Sequence, residues 1–175
     1  MQPTIHATTA CFPGCTIRYA LTRITAGVSE PVVGSLSAGH VQLCPQNFGR
    51  ITEAEAEALR ADYPASRLRL HANARVLDSH VLWDLSRVDD DTIHYFHALA
   101  DRSRRLGASA ISLHAGYAKN ADLRTVFDNV RRLQDSVFGP DVVVAVEGLY
   151  PNDVRPNLLG TWAEYEALLR EGLPY

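Results

Sequence analysis

Three side chains able to hold a divalent cation stand at comparable points of the sequence. His71 closes Leu68-Arg-Leu-His71, His114 closes Ile111-Ser-Leu-His114, and Glu147 follows the apolar run Val142-Val-Val-Ala-Val146. Two imidazoles and a carboxylate suit Zn²⁺, Mn²⁺ or Fe²⁺, which accept nitrogen and oxygen donors together. Such a set leaves positions open for water or substrate. Glu147 is the most informative, because a carboxylate directly after an apolar strand is costly to bury without a cation, a proton or a hydrogen-bond partner. Taken singly, each residue reads as well as a satisfied core histidine or an arginine-paired carboxylate. Three of them at equivalent strand ends point to a site. His94 and His97 share a helix at three-residue spacing, His40 and His80 fall at a strand start or in a loop, and His6 is at most a pocket-lining residue of the first strand.

These ligands need strands to carry them, and strand-like and helix-like segments alternate along the whole chain. Thr4 to Ala10 predicts a first strand, and Thr16 to Ala26 a helix stopped by Gly27. The Ser-, Gly- and Pro-rich stretch Val28 to Gly39 is the least regular, and His40 to Cys44 is a short strand. Thr52 and Glu55 form a capping box for a helix reaching Asp62. Arg67 to Asn73 reads as a strand with Leu68 and Leu70 on one face. Asp89, Asp90 and Asp91 suit a helix N-terminus, and Ile93, Phe96, Leu99, Ala100 and Leu106 supply its apolar stripe until Gly107. Ser109 to His114 is a strand, and Leu123, Val126, Phe127, Val130 and Leu133 repeat at helical spacing up to Gly139-Pro140. Val142 to Val146 predicts a strand buried on both faces. Thr161 and Glu164 cap a last helix through Leu169.

The result is about five β/α units with strands expected to be parallel, each crossover being long enough for a helix. Active sites of such proteins gather at the carboxyl ends of the strands, where His71, His114 and Glu147 fall. A doubly wound sheet and part of an eightfold β/α barrel both fit the pattern. The usual glycine-rich nucleotide-binding fingerprints are missing.

Composition excludes other classes. Of 175 residues 46% are hydrophobic and 21% charged, enough for a real core and unlike a disordered chain. The net charge of −3 shows no basic excess of the kind that nucleic acid or an anionic membrane attracts. No segment approaches the roughly 20 consecutive apolar residues that span a bilayer. Cys11, Cys15 and Cys44 make no disulfide framework and read as small buried or loop cysteines. With no signal-like start at Met1 to His6, the cytoplasm is the expected location.

Four stretches resemble the xylose-isomerase-like β/α barrels, a superfamily of sugar isomerases and epimerases and of endonuclease-IV-type AP endonucleases. Val41-Gln-Leu-Cys-Pro-Gln-Asn-Phe-Gly-Arg50 with the capped Thr52 helix is similar to that family's second strand and loop. Leu70-His-Ala-Asn73 resembles the His-Ala segment of its third strand, and Leu113-His-Ala-Gly116 the His-x-Gly segment of its fourth. Val146-Glu147, with Leu159-Gly-Thr-Trp-Ala-Glu164, resembles its fifth strand and following helix. The match covers residues 39–175, with 1–38 fitting loosely, in a single partial domain over 1–175.

The resemblance implies a (β/α)8 TIM-barrel type of fold with about five units present. It implies His71 and His114 lining or ligating a divalent metal, Zn, Mn or Fe, with Glu147 as a metal-bound carboxylate that moves a proton next to a carbonyl of a sugar-like substrate. The family's remaining ligands, an Asp, a His and a second Glu, come from strands six to eight, and this chain stops where strand six would begin. The expectation is therefore a fragment, or a half closed by self-association or by a complementing chain. Two alternatives stay open. One is a non-catalytic metal-binding or interaction half-barrel. The other is a metal phosphodiesterase of the AP endonuclease type, ranked lower because Asn73, Ala74 and Arg75 stand where that branch has an aromatic wedge.

Overall fold

The computed structural model describes residues 6–27, 29–30, 34–35, 37–79, 82–150 and 156–174. In chain order the first half holds β1 (His6–Thr8), α1 (Ile17–Thr25), β2 (Ser29–Glu30), β3 (Gly34–Ser35), β4 (Ser37–Leu43) and α2 (Glu53–Asp62). The second half holds β5 (Arg67–Leu70), α3 (Asp90–Leu106), β6 (Ala110–His114), α4 (Leu123–Leu133), β7 (Val143–Glu147) and α5 (Trp162–Arg170).

β1 pairs with β4, β4 with β5, and β6 with β7, all in parallel. A parallel bridge from His71 to Ser112 joins β5 to β6. Spatial order thus follows chain order without reversal. A doubly wound sheet reverses at a switch point, whereas winding in one direction is that of a β/α barrel. This decides between the two architectures that patterning leaves open.

Side chains alternate along these strands. Val41 and Leu43, Leu68 and Leu70, Ile111 and Leu113, and Val144 and Val146 are buried in one core with the apolar stripes of the helices. Gln42, Arg67, Arg69, Ser112 and Ala145 lie on the opposite, concave face by the same alternation. The expectation that β7 is buried on both faces is corrected here, since Val143 is 39% exposed. Among the described residues no second layer covers the concave face, so only alternate valines are enclosed.

The helices begin where their caps predict. Thr52 Oγ1 accepts from Glu55 N at 3.1 Å, and Asp89 Oδ1 from Thr92 N at 3.0 Å. At α5, Glu164 Oε2 accepts from Thr161 N at 2.9 Å. The reciprocal arm of the Thr52 box is not made by Glu55, which takes two bonds from the Arg18 guanidinium at 3.0 and 3.2 Å and ties α1 to α2. A guanidinium fork offers two charge-assisted bonds where the cap amide offers one.

The first strand is shorter than predicted, ending in a tight turn over Thr9–Cys11 that the Thr8 hydroxyl caps. In the stretch predicted irregular, β2 and β3 pair antiparallel, and β4 starts at Ser37 rather than His40. Residues 4–5, 28, 31–33, 36 and His80, on which some of these expectations fall, lie outside the described residues. β1 and β7 are the edge strands of the curved sheet. After α5 the chain returns to the β7 edge, where Val146 N donates to the Pro174 carbonyl at 3.1 Å.

Candidate functional site

Register alone brings the three predicted ligands together. His114 pairs with Glu147 across β6 and β7, and His71, just beyond β5, pairs with Ser112 of β6. All three fall on the concave face at the carboxyl end of the sheet. His71 Nε2 lies 3.1 Å from Glu147 Oε2, and the two imidazole centroids are 5.0 Å apart at 74°. One donor atom from each residue lies within 4.8 Å of the other two. His71 is buried, and His114 and Glu147 are half-buried.

His71 Nδ1 sits 2.8 Å from the Ala72 carbonyl, which can only accept. That bond assigns the hydrogen to Nδ1 and directs Nε2 at Glu147, the usual arrangement of a metal-ligating histidine. Burial pulls the His71 pKa down, but the hydrogen bonds to Glu147 and Ala72 outweigh it and hold it above the ordinary histidine value. The His71 bond lowers the Glu147 pKa against its burial. Burial, helped by the charge of His71, lowers that of His114. An ionised carboxylate and a neutral imidazole are the ligating forms, and at His71 a cation would take the place of the proton.

The His71–Glu147 pair passes a simple geometric test. Two atoms each about 2.0–2.1 Å from one ion are about 2.9 Å apart at a right angle and about 3.4 Å apart at the tetrahedral angle. The His71–Glu147 separation of 3.1 Å lies between these. The residues present fit a divalent ion with mixed nitrogen and oxygen preference.

Other candidates stay apart from this centre. His94 and His97 are exposed on α3, His40 is exposed on β4, and the side chain of His6 lies outside the described residues. The three cysteines are free, Cys44 buried and Cys11 exposed, and the Cys44 thiol lies 2.9 Å from Thr8 Oγ1.

Sequence reasoning missed what surrounds these three residues. A cavity of about 330 Å³ opens beside His114, with Trp83, Asp84, Lys119 and Asn120 among its walls. Another of about 370 Å³ adjoins Glu147 and Tyr165, whose hydroxyl accepts from Gly148 N at 3.2 Å. Both depend on loop closure over a glycine. A Cβ on Gly116 would stand 2.3 Å from Asp84 Oδ1, and one on Gly148 2.1 Å from the Leu159 carbonyl. The available signal was a glycine shortly after His114 and after Glu147, together with Asp84-Leu-Ser86, the spacing of a side-chain-capped turn.

No protein-family model matches this sequence, and no curated protein matches it. Solved structures do. A xylose isomerase domain-containing protein from Salmonella typhimurium superposes at TM-score 0.67 and 14% identity, over 100% of this chain and 60% of its own. The 3-keto-D-glucoside 4-epimerase of E. coli gives TM-score 0.61 and 11% identity, over 98% of this chain and 65% of its own. A D-allulose 3-epimerase from Methylomonas, in complex with D-allulose, gives TM-score 0.58 and 15% identity, over 99% and 61%. Identities this low speak for the fold alone. The chain folds as part of a xylose-isomerase-like β/α barrel and spans about 60% of the length of the Salmonella protein.

Proposed function

We propose that this chain supplies the metal-holding part of a divalent-metal-dependent sugar isomerase or epimerase, which moves a proton at the carbon next to a carbonyl. The observation that carries the reading is the convergence of His71, His114 and Glu147 at the carboxyl ends of three neighbouring strands. Similarity to two sugar epimerases, one with D-allulose bound, supports the substrate class.

His71, buried and locked by the Ala72 carbonyl, is the fixed nitrogen ligand, and His114 is the second. When bound, Zn²⁺, Mn²⁺ or Fe²⁺ polarises the substrate carbonyl and stabilises the charge that builds on its oxygen. Glu147 is the acid–base group. The His71 hydrogen bond keeps it ionised, the form that can accept a proton, and its place on a cavity wall gives substrate access. Residues 1–175 act as one partial domain, closed by a complementing polypeptide stretch or a second copy, and the free cysteines favour the cytoplasm. No feature favours the phosphodiester reading, since Asn73 and Ala74 are buried after His71-Ala72 and project no wedge.

Metal analysis and calorimetric titration with Zn²⁺ and Mn²⁺ test the centre. Binding is expected in the unaltered chain and its loss in His71→Ala, His114→Ala and Glu147→Gln. Binding that is absent, or indifferent to all three changes, overturns the proposal. Exchange of a ketose C–H proton with solvent deuterium tests the chemistry. Metal binding without exchange in the completed barrel would leave the non-catalytic reading.

A further inference from the structure

The cavity beside His114 lies next to the metal ligands, yet no step above uses it. We infer that it receives the polyhydroxylated arm of the substrate, and that it selects an uncharged sugar over a sugar phosphate. This rests on the metal-centre reading and adds to it the specificity-determining residues Trp83, Asp84 and Asn120.

The walls are built rather than incidental. Trp83 is half-buried and stacked on Tyr95, with centroids 6.1 Å apart at 29°. Its backbone N donates to Asn73 Oδ1 at 2.5 Å, and Asn73 holds a left-handed turn (φ 63°) directly after His71-Ala72. The indole is thereby coupled to the strand that carries the first ligand. Asp84 Oδ1 accepts from Ser86 N at 2.9 Å and from Ser86 Oγ at 2.5 Å, while Asn120 Nδ2 donates to Ser86 Oγ at 3.2 Å. These bonds fix a carboxylate and an amide from two different loops against one cavity.

The chemistry of that wall matches a polyol. Each sugar hydroxyl both donates and accepts, and the cavity offers an acceptor-only carboxylate, a donor-only ammonium at Lys119, and carboxamides that do both. The apolar face of an indole suits the C–H face of a sugar, as aromatic rings combine apolar area with a polar edge.

The same wall disfavours phosphate. The fixed Asp84 charge would confront a dianion, offsetting the single ammonium of Lys119. Phosphate sites in β/α proteins draw on open helix N-termini. The two helices that follow these loops are already capped by carboxylates: Asp89 accepts from Thr92 N at 3.0 Å at α3, and Asp122 from Thr125 N at 2.8 Å at α4.

The chain has two tryptophans, so Trp162→Phe leaves Trp83 as the sole indole reporter. In that protein, loaded with Zn²⁺, D-fructose is expected to shift the Trp83 emission saturably. D-fructose 6-phosphate is expected to bind at least tenfold more weakly. Asp84→Asn narrows that gap, and Asn120→Ala, an exposed change, weakens fructose binding severalfold. Phosphate binding equal to or tighter than that of fructose overturns the inference, as does fructose binding indifferent to both changes. Metal uptake with no sugar response sinks the cavity assignment and leaves the metal centre standing. A saturable sugar response in protein that takes up no Zn²⁺ keeps the cavity and sinks the metal reading.

Discussion

A methyl group on Gly116 would stand 2.3 Å from Asp84 Oδ1 and 2.5 Å from Ser86 Oγ, on a backbone whose φ is 98°. Gly172, closing α5, is also left-handed, at φ 68°, but a Cβ there meets nothing within 4 Å. The pair separates conformational strain from collision. Gly172→Ala carries the left-handed penalty alone, about 1–2 kcal/mol. Gly116→Ala adds the displacement of Asp84 and Ser86, and a loss of about 3 kcal/mol or more is expected. Urea unfolding of both variants measures the difference, and equal losses would mean that the Asp84 loop yields easily. The meeting of His71, His114 and Glu147 was legible in the sequence, because each stands at the carboxyl end of a strand and the strands run parallel. Trp83, Asp84 and Asn120 were not, because their meeting depends on where two loops fold back over Gly116, and no local pattern encodes that.

At the scale of elements, α2 and α3 are joined by charges. Arg105 donates to Asp101 at 2.9 Å and pairs with Glu53 at 3.0 Å, Arg102 reaches Glu53 at 3.3 Å, and Glu57 also pairs with Arg105. Burial raises the Asp101 pKa, but the hydrogen bonds from Arg105 and Arg102 outweigh it and the net shift is downward. A depressed carboxylate contributes stability that is present above its unfolded pKa of about 4 and lost as pH falls through its lower folded value. Asp101→Asn is therefore expected to unfold earlier than the parent at neutral pH and to converge with it in acid. The gap should be below about 1 kcal/mol, because the pair is partly exposed. Urea midpoints from pH 6 down to pH 2 follow it, and a gap that widens in acid would reverse the sign. Thr52→Ala tests the cap of α2 in the same way, with about 1 kcal/mol expected. The Thr52 hydroxyl could be read locally. The choice of Arg18 by Glu55 could not, since it joins two helices far apart in the chain.

For the whole molecule the informative surface is the concave face. Alternation along β5 places Arg67 and Arg69 there, both exposed, and Gln42 Nε2 donates to Ser112 Oγ across it at 3.3 Å. The periodicity of β4 and β5 was legible, and so were the five parallel strands β1, β4, β5, β6 and β7, though not the antiparallel β2–β3 pair. The state of this face was not, because an apolar run such as Val142 to Val146 reads as doubly buried whether or not a second layer is present. Two copies laid face to face would bring a second Arg67 and Arg69 into the same interface, with Glu147 already engaged by His71. Like charges set opposite each other in an interface disfavour it. A complementing stretch that offers carboxylates to both arginines therefore suits this face better than a second copy does. The expected outcome is no self-association through the concave face at low ionic strength, where repulsion is least screened. Sedimentation equilibrium at about 20 mM salt, well below the screening of physiological buffer, reads this directly. A dimer under those conditions that Ser112→Trp dissociates would show the face pairing with itself, and the charge argument would then fail.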